Sequence, residues 1–142
     1  MPEGNSSRTK TDYLGDVAAF HRAIGVAAPV GIAIRRPELR AALIREEARE
    51  AADALEAGDL IEAIDGLMDT LVVVFGTIEE MGFDPEPFWT EVHRTNMAKA
   101  DGPVREDGKR LKPPGWTPPD IAGVLARVGL DAWGGPDTEV LA

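Results

Sequence analysis

The chain has 142 residues, long enough for one domain with a core of its own, and carries 25 acidic against 15 basic side chains for a formal charge of −10. That charge argues against nucleic-acid binding through a basic face, and the absence of cysteine excludes disulfides, iron–sulfur clusters and thiol chemistry. The charge is uneven: residues 46–69 hold nine acids and one base, whereas residues 94–112 hold six bases and three acids.

Residues 1–11 read as a tail. They contain no apolar leader, and the longest apolar run, Leu71 to Phe75, is too short to span a bilayer, which predicts a soluble, cytoplasmic protein. The sequon Asn5-Ser6-Ser7 reads as chance. A single all-α domain is expected over 12–130, followed by a tail over 131–142. Its first helix runs from Asp12 or Tyr13 to about Ile24, with Leu14, Val17, Ala18 and Phe20 on the apolar face and His21 at the surface or as a cap. A loop punctuated by glycine and proline leads to Pro37.

Pro37 to Ala57 predicts a second helix, with Pro37 in the first turn and Gly58 as the C-terminal cap. At 100° per residue Glu46, Glu47 and Glu50 share a sector of about 100° that also contains Leu39 and Leu43, the side expected to face the core. Asp59, with Glu62 three residues on, resembles a capping box and opens a third helix to Met81. Its apolar residues, from Leu60 to Ile78, point in nearly all directions, the pattern of a buried helix. Glu62, Asp65 and Asp69 nevertheless form an acidic stripe about 60° wide on it. A short turn at Gly58 lets the two acidic stripes face one another. EExxE alone is common on solvated helix faces; a second stripe on a greasy helix is not explained by solvation. Clustered carboxylate oxygens with no cysteine or histidine nearby favour a hard cation, Mg²⁺ or Mn²⁺ before Zn²⁺.

Asp84 then caps a fourth helix with Pro85 and Pro87 in its first turn, running to about Lys99 with Phe88, Trp89, Val92 and Met97 inward. Residues 101–119 read as loop, with turn pairs at Asp101-Gly102 and Asp107-Gly108 and room for a short hairpin. Pro119 opens a last short helix through Val128. The expected architecture is an all-α bundle of about five helices with a four-helix core, completed by dimerisation because one short chain leaves the 59–81 helix uncovered.

EEARE at 46–50 followed by an acidic second helix resembles the MazG-like all-α NTP pyrophosphohydrolases, whose motif is EExxE followed at a distance by ExxD. The segments FHRAIG (20–25), Arg40–Glu50, EVHRTNMAK (91–99) and DGKRLKPPGWTPPD (107–120) are similar to the dimeric dUTPase-like and phosphoribosyl-ATP pyrophosphohydrolase-like subgroup. The resemblance spans about residues 16–125. Aligning the family aspartate with Asp69 puts Gly66 where the family has glutamate, with Asp65 or Glu62 as the substitute. The resemblance implies hydrolysis of a nucleoside triphosphate, dUTP first, to the monophosphate and pyrophosphate. It implies Mg²⁺, or Mn²⁺, held by Glu46, Glu47, Glu50, Asp65 and Asp69, with Glu47 as the base that activates water. Asn96, Lys99, Lys109 and Lys112 become the substrate contacts, and Phe20, His21 or Trp116 could stack on a base.

Three rival readings remain at this stage. One is phosphoribosyl-ATP pyrophosphohydrolase, the same reaction on another nucleotide. A second, a non-catalytic dimeric binding module with a degenerate metal site, is motivated by Gly66. The third, a di-iron carboxylate bundle, needs Glu-x-x-His, whereas His93 follows Glu91 at the wrong spacing.

Overall fold

The computed structural model describes residues 9–129. Most of both expected tails lies outside these residues. Five α-helices are present: α1 (Tyr13–Ala23), α2 (Pro37–Ala57), α3 (Leu60–Met81), α4 (Pro85–Met97) and α5 (Ile121–Val128). The protein is all-α as its sequence predicts, and the only extended pairing among the described residues is an isolated antiparallel bridge between Val104 and Arg110. The described residues form two compact units, 9–29 with 34–81 and 30–33 with 82–129.

The first unit is built on the α2–α3 hairpin. Gly58 ends α2 in the left-handed conformation at φ 71°, its N–H donating to the Ala54 and Leu55 carbonyls, and Asp59 then accepts from the Glu62 N–H at 3.1 Å to start α3. Small residues line the seam: Ala51, Ala54 and Ala63 are buried, and Gly66 meets Ala51 so closely that a Cβ at 66 would lie 2.9 Å from the Ala51 Cα.

Three arginines lock the other end of the hairpin. Arg35 donates to the Glu80 and Met81 carbonyls at 2.7 and 3.3 Å, satisfying the last turn of α3. Arg36 caps α2 in the left-handed conformation at φ 47°, a strain of about 1 kcal/mol for a residue with a Cβ, and its guanidinium reaches the Glu80 carboxylate at 2.7 Å. Arg40, buried on α2, takes the other carboxylate oxygen at 3.0 Å and also donates to Thr77 Oγ1 and the Val73 carbonyl. Removing one partner from such a buried ionic cluster costs on the order of 3–5 kcal/mol, because the remaining charges stay desolvated.

α1 lies on α3. Val17 and His21 are its buried residues, and the Tyr13 ring stacks on Phe75 with centroids 6.3 Å apart. His21 is therefore an interior residue, not the surface or capping group its neighbours suggested. On α3, Leu60, Ile61, Ile64, Leu67, Met68, Leu71 and Val72 are 40–78% exposed, so within a single chain this apolar helix is left uncovered, as its sequence suggests.

In the second unit Asp84 caps α4 and Asp120 caps α5, each through its carboxylate. α5 begins after Asp120 rather than at Pro119. α4 stops at Met97, two residues earlier than expected, because the backbone tightens into three-residue turns through Ala100. Trp89 and Met97, expected inward, are 73% and 60% exposed; the interior is centred on Thr95 and Val124. Trp116 Nε1 donates to the Thr95 carbonyl at 2.8 Å, pinning the long loop to α4. Glu91 accepts two bonds from Arg94 and one from the Asp120 N–H. The Arg94 guanidinium first, then the Asp120 amide, hold the Glu91 carboxyl at a pKa of about 2, below its ordinary 4.5.

A depressed carboxylate contributes stability that is complete above the ordinary value and is lost as pH falls towards the folded value. Urea unfolding at pH 6 and pH 3 therefore separates wild type from Glu91→Gln: the variant is the less stable at pH 6, and the gap narrows at pH 3.

Candidate active site

The EExxE carboxylates and the second acidic stripe both belong to the α2–α3 hairpin. Their positions follow from the seam. Gly66 faces Ala51, which puts Glu62, Asp65 and Asp69 along one margin of that contact, and the 100° helical step places the exposed apolar residues of α3 on the far side of the stripe. Arg49, the one base of residues 46–69, stands 3.8 Å from Asp53 in an exposed pair.

Glu47 is the half-buried member of its trio, whereas Glu46, Glu50, Asp65 and Asp69 are exposed. Its carboxyl is pushed above the ordinary 4.5, first by partial desolvation and then by repulsion from Asp69, Glu50, Glu46 and Asp65 in that order. Acids from both helices therefore act on one carboxyl. The expected facing of the two stripes is seen in this shared field. Among the described residues no three Asp, Glu or His side chains are drawn into one ligand sphere, so what the cluster shows is a concentration of negative charge rather than a coordination geometry.

Gly66 now has a physical explanation. A glutamate there would drive its Cβ into the Ala51 backbone, so the glycine permits a close approach between the helices. The small residues Ala51, Ala54, Ala63 and Gly66, four on two helices, were the sequence signal for this seam.

The basic residues lie in the second unit. Lys99 and Lys112 each place their ammonium 4.8 Å from the centroid of the Trp116 ring, and Lys99 also donates to Asn96 Oδ1 at 3.3 Å. Lys109 is exposed, its backbone N–H bound to Asp107. Trp116, offered by the sequence as a base-stacking ring, already has two ammonium groups against it. Phe20 remains 52% exposed beside His21. The buried His21, Arg40 and Glu80 cluster gave no sequence signal, because arginine and glutamate at those positions read as ordinary helix-surface residues.

Antiparallel helices that set an EExxE trio beside a second acidic stripe define the MazG-like all-α NTP pyrophosphohydrolases. Within that class, the phosphoribosyl-ATP pyrophosphohydrolase family matches residues 17–96, more than half of the chain, and the chain belongs to it. No curated protein matches the chain. The family match takes in every acid of the cluster and ends at Asn96, short of Lys99, Lys109 and Lys112.

In the metal-free protein, carboxyl resonances followed by NMR should show Glu47 titrating above 4.5. Asp69→Asn should bring it down by removing the largest of the four repulsions, whereas Asp53→Asn should leave it in place.

Proposed function

We propose that the protein is a metal-dependent nucleotide pyrophosphohydrolase, with dUTP the leading substrate, releasing pyrophosphate and the nucleoside monophosphate. The observation that carries this reading is the raised Glu47 carboxyl with acids of both helices around it. Concentrated negative charge of this kind suits a hard divalent cation, and the donor set is all oxygen. Glu46, Glu50, Asp65 and Asp69, with Glu62 as the further candidate, would hold Mg²⁺ or Mn²⁺. When bound, the metal supplies neutralisation of the polyphosphate and a Lewis acid at the phosphoryl oxygens.

Glu47 is the residue we assign as base. Its half-buried carboxyl, made more basic by its neighbours, suits accepting a proton from the attacking water, and its place between Glu46 and Glu50 keeps it beside the ligands. Ligation by Glu47 itself is the alternative role. Asn96, Lys99, Lys109 and Lys112 are proposed as substrate contacts, with the ammonium groups of Lys99 and Lys112 held in place by the Trp116 ring. A second reading, phosphoribosyl-ATP as the substrate, is favoured by the family that the chain matches.

We also propose a homodimer. The exposed apolar residues of α3 form one face about 140° wide, at 100° per residue, running from Leu67 round to Val72, too continuous for a surface left in water. A second copy of the chain offers the same face, as a two-fold interface requires.

Pyrophosphate and orthophosphate release from dUTP, the other nucleotides and phosphoribosyl-ATP, with Mg²⁺, Mn²⁺ or EDTA, tests the reaction. We expect metal-dependent pyrophosphate with one preferred nucleotide, and a loss of at least about 100-fold in kcat in Glu47→Gln, the scale of general-base catalysis. No turnover with either metal would sink the proposal. Light scattering on the eluted protein tests assembly: wild type should have twice the chain mass and Ile61→Arg/Ile64→Arg the mass of one chain.

A further inference from the structure

The buried titratable group with no part in the chemistry above is His21. α1 docks on α3 through two rings, Tyr13 on Phe75 and His21 in a notch that exists because residue 76 is glycine. A Cβ there would lie 2.9 Å from His21 Nε2 and 2.6 Å from Arg40 Nη2. The imidazole is only 7% exposed, and its Nδ1 is buried without a hydrogen-bond partner in the protein. A cavity of about 50 Å³, walled in part by Ala18, His21, Arg22, Glu79 and Glu80, adjoins it and has room for a few waters.

We propose that His21 is a proton-operated latch: neutral, it holds α1 in the Gly76 notch of α3, and protonated, it releases α1. The charges around it set the direction. Arg22 lies beside it on α1, Arg36 and Arg40 approach from the start of α2, and Glu79 and Glu80 from α3. The two carboxylates favour a proton, but the oxygens of Glu80 are already held by Arg36 and Arg40. An imidazolium would add a cation beside the guanidiniums of Arg36 and Arg40 at a residue only 7% exposed.

Burial first, then the Arg40 charge, lower the His21 pKa from its ordinary 6.5. Docking is therefore at full strength above the ordinary value and weakens as pH falls below it. Between pH 7.5 and 5.5 the undocked population should rise by up to about tenfold, the limit for a group that stays neutral while docked.

Amide hydrogen exchange of the full-length protein, corrected for the chemical exchange rate, reads that population along α1. We expect protection over residues 17–23 to fall by up to about tenfold from pH 7.5 to 5.5 while the seam of α2 and α3 keeps its protection. His21→Gln, which takes up no proton, should abolish the pH response, and Gly76→Ala, which crowds the notch, should leave α1 weakly protected at both pH values. Flat protection in wild type, or the same pH response in His21→Gln, would overturn the latch. A direct NMR titration of the His21 ring in wild type needs no variant: a pKa at or above 6.5 with α1 still protected would overturn it too.

Discussion

Everything in the first unit depends on how near α3 can come to α2. The limit is set at one point, where Gly66 presents bare backbone to Ala51, and the buried alanines 51, 54 and 63 extend that closeness along the seam. Packing by small residues brings two backbones together and so shortens the distance between whatever side chains flank the contact. Here those flanking side chains are carboxylates, and the Glu47 carboxyl is raised first by partial desolvation and then by repulsion from its acidic neighbours. The same glycine that removes a side chain from the seam concentrates the charge beside it.

That repulsion has to be met by the rest of the fold. The Gly58 turn holds one end of the hairpin, and the cluster of Arg35, Arg36 and Arg40 on Glu80 and the last carbonyls of α3 holds the other. Positive charge is thus committed to the end of α3 remote from the turn, where the partial negative charge of the helix terminus also lies. The acid-rich half of the hairpin keeps a single arginine, and that one pairs with Asp53.

Much of this was legible in the sequence, and the reasons differ by residue. Pro37, Gly58 and Asp84 announce helix ends because each satisfies or terminates the backbone locally, and α2 begins and ends where they say. The acidic stripes were legible for the same reason, since helical periodicity needs no tertiary knowledge. Partners across the fold were not. Trp89 and Met97 were assigned inward on hydrophobicity alone, yet they are exposed, and His21 was read as a surface or capping group although it is buried. Polarity says how much burial would cost, not whether a glycine on another helix has made room for it. Gly66 is a further case: its close contact with Ala51 is a tertiary feature that the alignment of motifs did not reveal.

A hairpin fastened at both ends cannot slide or spread easily along its length. The carboxylates of α2 and α3 therefore flank a contact whose closeness belongs to the backbone and not to their own rotamers. Repulsion of that origin is not relieved by turning a side chain, so the acidic cluster keeps its concentration of negative charge as its surface side chains move.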